Sequence, residues 1–239
     1  MVQEQHVFRV LFLLVLSVCG LQAVGHREWW FYACRTWMIV ICFLGNFQIY
    51  RWVADRQIRK RNEIPNFREY AWPVGIVDKC IPFHPAWVYV YGLLFFVLYG
   101  LVILLITNDR IFLQSLVGGC FVLLVQAALW ILIPTTIPYA LRQLKKTNKG
   151  KRLGSEFLDL VQGMDGQNTN AIPSQHCSLS THLACTLYFY TSLPPLLLVL
   201  IPILIAVSCV GTKQHVFLDT VCGIALGFFI SIFLIYMNE

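Results

Sequence analysis

Long apolar stretches, free of charge or nearly so, recur along the chain between short polar segments. Residues 86–107 and 111–133 contain no charged side chain, and each exceeds the run of about 18 apolar residues needed to cross a hydrocarbon core roughly 30 Å thick. Residues 29–50 form a third span, with Trp29, Trp30 and Trp52 near its ends as interfacial aromatics and Arg35 inside it. Residues 194–211 and 215–237 supply two more, and 177–193 a shorter one. Residues 8–24 are apolar apart from Arg9. They read either as a further membrane helix or as the apolar region of a signal peptide, and the poor small-x-small pattern at Gln22-Ala23-Val24-Gly25 favours the helix. The pattern predicts an all-α, polytopic transmembrane helical bundle of six core helices with one additional helix at the N-terminus. Residues 1–85 are expected to hold the N-terminal membrane helices and a basic interfacial loop, and residues 86–239 a membrane core.

Composition supports a lipid environment. The chain is 58% hydrophobic and 13% charged, against about 25% charged residues in soluble domains. Its net charge of +6 would suggest nucleic acid in a soluble protein. Here the basic residues lie between spans, so anionic membrane lipid is the expected partner and nucleic acid is not. The first basic run, Arg51 to Arg61, precedes a loop with Pro65, Pro73, Pro82 and Pro85 that reads as an interfacial or re-entrant segment. The second, Arg142 to Arg152, opens a polar loop reaching Pro173. Following the spans in order, residues 51–85, 134–176 and 212–214 emerge on one face. The nine cysteines include no CxxC pair. Cys80 and Cys177 lie in or beside loops of that shared face, where an oxidising compartment would let them pair.

The chemically suggestive residues fall on the same face. Asp219 is the sole carboxylate side chain between Gly166 and Asn238 and sits in an apolar run, where a charge needs a partner. His215, four residues earlier, would share its helical face, so that the carboxylate holds one ring nitrogen and leaves the other to attack. Thr212 and Lys213 stand at the predicted N-terminus of that last helix, a setting suited to an anion. In Asn170-Ala-Ile-Pro173-Ser174-Gln175-His176, Pro173 suits the first turn of a helix and the Ser174 hydroxyl can donate to an oxyanion. Taken alone, the first cluster reads equally as an interfacial histidine satisfying a buried aspartate, and the second reads more readily as a helix start with an incidental histidine. Together they suggest phosphoryl transfer, with one histidine attacking phosphorus and the other protonating the leaving oxygen. The scheme calls for no cofactor and no metal; a metal site is poorly supported, with one carboxylate near the two histidines and no thiol cluster. His182, six residues from His176, does not share its helical face and reads as structural.

The order of these motifs resembles the type 2 phosphatidic acid phosphatase superfamily, in particular its inositol phosphorylceramide synthase-like branch. The resemblance rests on Pro173-Ser174-Gln175-His176 and His215-Val-Phe-Leu-Asp219 and covers roughly residues 86–237. It implies that His215 forms a phosphohistidine, Asp219 orients it, His176 is the general acid and Ser174 a donor to the phosphate oxygens. Two motifs depart from the family's pattern. Ser208-Cys209 stands where a Ser-Arg pair is usual, with Lys213 as the nearest replacement charge, and the stretch from Ile133 to Arg142 replaces a Lys and Arg-Pro motif. Arg142 is the substitute cation there, so Ser174, Lys213 and Arg142 form the expected phosphate-binding set.

Three functions fit. The first is a lipid phosphate phosphatase; the second is a lipid phosphotransferase that moves a phosphate or phosphoalcohol head group to a lipid or alcohol acceptor; the third is a non-catalytic membrane protein retaining the fold. Orientation draws opposing indications. Fifteen Lys and Arg residues fall on the site face, against Arg27 and Arg110 opposite, which the positive-inside rule reads as cytoplasmic. The resemblance implies a periplasmic or lumenal site, and that is the expectation carried forward. Oligomeric state is left open.

Overall fold

The computed structural model describes residues 29–64, 70, 73–138, 141, 154–164 and 169–237, with backbone alone at 29–30 and 160–164. Residues 8–24, Arg142 and the basic run that follows it lie outside the described residues. Among the described residues there are eight helices: α1 (Trp29–Glu63), α2 (Ile76–Cys80), α3 (Trp87–Leu105), α4 (Asp109–Leu132), α5 (Ser155–Met164), α6 (Gln175–Tyr190), α7 (Pro195–Gly211) and α8 (Phe217–Tyr236). α1, α3, α4 and α8 are long and apolar enough to cross a membrane, and α7 is a shorter apolar helix. The chain is an integral membrane protein built as an all-α bundle.

Element ends follow local chemistry. α3 begins just after Pro82 and Pro85. Asn108 caps α4, its side chain accepting from Arg110 N at 2.9 Å and Ile111 N at 3.4 Å. α4 stops at Leu132, ahead of Pro134, and α7 opens on Pro194-Pro195. Two elements differ from expectation. α1 has 35 residues, about 52 Å at 1.5 Å per residue, so it runs beyond the bilayer core and carries the first basic run as helix; with no Gly or Pro after Gly45 until Pro65, nothing breaks it. α5 forms inside the second polar loop, where Leu158 enters the main core and the Phe157 ring stacks on Tyr89 at 5.5 Å between centroids.

α6 is the central helix. It packs against α3, α4, α7 and α8, which screen its Ser178, Ser180, Thr181, His182 and Thr186 from lipid, and all five are buried. Shielding lets a polar 16-residue segment cross the bundle. Its tightest partner is α8, through Gly223 and Gly227. A Cβ on Gly223 would lie 2.5 Å from Ser174 O, and one on Gly227 would collide with Ser178 O. Such a Gly-x-x-x-Gly face lets two membrane helices approach backbone to backbone.

Candidate active site

The site lies at the end of the bundle where α1, α4 and α7 finish and α3, α6 and α8 begin. The stretch ahead of α6 is tied down from four directions. Gln126 of α4 donates to Pro173 O at 3.2 Å, Asn170 donates to Tyr50 O of α1 at 3.1 Å, and Ile172 N donates to Thr135 Oγ1 at 3.0 Å. From α8, Asp219 O accepts from Ser174 N at 3.1 Å. That last bond joins the Pro-Ser-x-His segment directly to the His-x-x-x-Asp segment. Pro173 precedes the N-cap Ser174, so it sits just outside α6 and not in its first turn.

His176 lies in the first turn of α6. Its ring meets those of Tyr91 and Phe95 edge-on, with centroids 4.9 and 5.9 Å away, and that of His215 at 6.4 Å. The two rings are near enough for one phosphate to reach both. His215 itself precedes α8, whose N-cap is Val216. Its pairing with Asp219 therefore comes from capping geometry and not from a shared helical face. Asp219, the third helical residue, accepts from Val216 N at 3.0 Å through Oδ2, and the same oxygen stands 3.5 Å from His215 Nδ1. That separation exceeds a full-strength hydrogen bond. The pairing uses Nδ1, so Nε2 is the ring nitrogen on the side away from the carboxylate.

Ser174 Oγ, His176 Nδ1, Gln214 Oε1 and Asp219 Oδ1 are buried without a nitrogen or oxygen hydrogen-bond partner among the described residues. Native interiors satisfy nearly all such atoms, and these four belong to the two segments that meet here. Lys213 is buried and donates from Nζ to Asp78 O at 2.6 Å and Ile81 O at 2.5 Å, which commits two of its three protons. Burial pushes its ammonium below the ordinary lysine value, and the nearby Asp78 carboxylate opposes that shift. At the usual position of the family's arginine, Cys209 is fully buried and its carbonyl accepts from Gln214 N and His215 N at 3.1 and 3.4 Å. Cys80 is exposed and Cys177 buried, and the two are not paired.

The structure thus brings together His176, Ser174, His215 and Asp219, with Lys213 alongside. Residues that the motifs did not reveal are Asp78, Gln126, Gly223 and Gly227. Gln126, at 0% exposure in an apolar span, and the Gly-x-x-x-Gly spacing are both visible signals. Asp78, in the short helix α2 among prolines, carries none.

Fold and site define a polytopic membrane protein with a paired-histidine centre at one end of its bundle. The family model of the PAP2 superfamily matches residues 72–233, and the chain belongs to that superfamily. Its members are phosphatases or related phosphotransferases, so the chain falls among proteins that act on lipid phosphates. No curated protein sequence matches the chain.

Proposed function

We propose that the chain is a lipid phosphate phosphatase working through a phosphohistidine on His215. His215 Nε2 attacks phosphorus, the phosphorus–oxygen bond to the lipid breaks, and His176 gives its proton to the departing lipid alcohol. Water then attacks the phosphohistidine, His176 takes a proton from it, and the phosphorus–nitrogen bond breaks to release inorganic phosphate. Asp219 holds Nδ1–H and stabilises the charged ring. Ser174 Oγ donates to a phosphoryl oxygen. Lys213 adds positive charge beside the loop, and Arg142 is assigned to the phosphate on its motif position alone. The observation that carries this reading is the meeting of Ser174 and His176 with His215 and Asp219, with the two imidazoles 6.4 Å apart.

The test is phosphate release by the purified protein in detergent, with EDTA present, from phosphatidic acid and an isoprenyl diphosphate, beside His215→Ala. Release that the variant lacks supports the mechanism. Release that appears only as a transferred product when an alcohol or ceramide-like acceptor is added would make the chain an inositol phosphorylceramide synthase-like transferase. No product in either format would return it to the non-catalytic reading. We place the site face in the periplasm or lumen, following the resemblance, and take the surrounding cations as serving phosphate. Cys80, exposed on that face, checks it: in a variant keeping only Cys80, a membrane-impermeant maleimide should label intact cells or sealed lumen-out vesicles. Protection until lysis would make the face cytoplasmic.

A further inference from the structure

We infer that Asp78 and Lys213 are positioning residues that brace the loop carrying His215, an inference that rests on the phosphoryl-transfer reading of that site. The segment 75–84 precedes the core spans, yet it grips the loop on both sides of His215. Asp78 Oδ1 accepts from Phe217 N at 2.7 Å, while Oδ2 accepts from Gly75 N at 2.8 Å and so closes α2 upon itself. From the loop, Lys213 Nζ reaches back to Asp78 O and Ile81 O. A third tie runs from His84 N to Gly211 O at 3.1 Å. Residues 211, 213 and 217 are thereby fastened to one short segment, and His215 lies between the fastened points.

The backbone at Lys213 indicates that the fastening is needed. Its φ is +57°, a left-handed conformation that a residue with a side chain seldom adopts and that persists where surroundings over-determine it. A glycine would adopt it more readily but would lose the ammonium that reaches the α2 carbonyls. Charge gives a second reason for the pair. Asp78 is 3% exposed and Lys213 2%, and ions so buried need a counter-charge and hydrogen bonds. Lys213 donates to the Asp78 and Ile81 carbonyls with the Asp78 carboxylate as a nearby counter-charge, and that carboxylate accepts from Gly75 N and Phe217 N, across chain separations of up to 139 residues. With two ammonium protons held by carbonyls, Lys213 acts on His215 through the backbone. Phosphate oxygens are left to Ser174 Oγ and its neighbours.

The experiment uses the full chain in detergent with short-chain phosphatidic acid and the variants Asp78→Ala, Asp78→Asn and Lys213→Met. An ångström of misplacement at a reacting group lowers rate on the order of 10²-fold, so Asp78→Ala and Lys213→Met should each lower kcat by about that factor. KM should stay within about threefold, because uniform substrate binding is not removed. Asp78→Asn, which keeps one acceptor for Phe217 N, should fall between wild type and Asp78→Ala. The double variant should be no slower than the slower single one, as expected when both remove one brace. Amide exchange at Phe217 should quicken in Asp78→Ala and Asp78→Asn while the interior of α8 keeps its protection. A raised KM at unchanged kcat in Lys213→Met would make that lysine a phosphate ligand and overturn the inference. So would additive losses in the double variant, or unchanged exchange at Phe217. If the wild type turns over no lipid phosphate, the functional reading fails, and the exchange measurement still decides whether the brace exists.

Discussion

Two histidines six residues apart on α6 end in opposite circumstances. His182 lies in a polar seam shared by α4, α6 and α8, and both its ring nitrogens are occupied: Nδ1 is 2.8 Å from Ser231 Oγ and Nε2 is 2.9 Å from Ser115 O. A carbonyl can only accept, so Nε2 carries a proton and the ring is locked. Gly118 makes the space, since a Cβ there would stand 2.5 Å from the imidazole. His176 is held by the edges of Tyr91 and Phe95, and its Nδ1 has no hydrogen-bond partner among the described residues. His182 is buried and His176 half-buried in the same helix, but the His176 Nδ1 atom is itself buried, so exposure of that nitrogen does not separate them. What separates them is completion: the seam satisfies its polar atoms, and the site leaves several for something else to satisfy. The far end of the bundle resembles the seam. Arg35 of α1 donates to Ile103 O, Ile106 O and Thr107 O at the end of α3 and pairs with Asp109 at 2.7 Å. Its guanidinium also lies over the Phe31 and Phe112 rings. A cation at a helix C-terminus whose two terminal nitrogens both have acceptors is a fastener, although its Nε has none among the described residues.

This contrast can be broken most severely at the two site histidines. His215→Ala should lower phosphate release by about 10⁴-fold or more, and His176→Ala by about 10²- to 10⁴-fold, as for loss of a nucleophile and of a general acid. Neither should lower the melting temperature measurably. A large thermal loss in either would put that histidine in the same class as His182. Next is the α6–α8 contact, on which both regions depend. Gly227→Val would drive a side chain into Ser178 O and should destabilise by about 1–3 kcal/mol, with activity lost from the folded fraction as well, since the two motifs part. Activity retained at wild-type level would show that the helices need not touch there. His182→Ala should reverse the pattern of His176→Ala. It leaves Ser231 and the Ser115 carbonyl without the ring and should cost about 1–3 kcal/mol of stability, yet turnover per folded molecule should change little. A kinetic loss on the scale of His176→Ala would assign the seam a part in catalysis. The mildest test is Ser174→Ala, which removes an oxygen lacking a nitrogen or oxygen partner. It should leave stability alone and reduce kcat/KM about tenfold, near 1.4 kcal/mol.

Much of this contrast could not be read along the chain. His182 was separated from His176 by helical spacing, and the bonds to Ser115 and Ser231 supply the physical reason, but Ser115 lies 67 residues away. The pairing of His215 with Asp219 was expected from a helical face and arises instead because Asp219 caps the helix that His215 precedes. Lys213 was expected beside an anion; that its ammonium also reaches the Asp78 and Ile81 carbonyls was not foreseen. Asp78, in a short helix amid prolines, belongs to no motif, and its contact with Phe217 spans 139 residues.

The sequence by itself determined the membrane spans and the residues that do not belong in them. Bilayer thickness sets how long an apolar run must be, and an ionisable side chain in such a run is costly enough to stand out. Asp219 was legible for that reason and His215 by its spacing from it, whereas Ser174 and His176 were read from a helix start after a polar loop. The tertiary structure alone decided that the two motifs meet and that Asp78 and Lys213 tie the loop that carries His215 to α2. Those outcomes depend on backbone approach at Gly223 and Gly227 and on hydrogen bonds between residues more than a hundred positions apart, which no local spacing encodes.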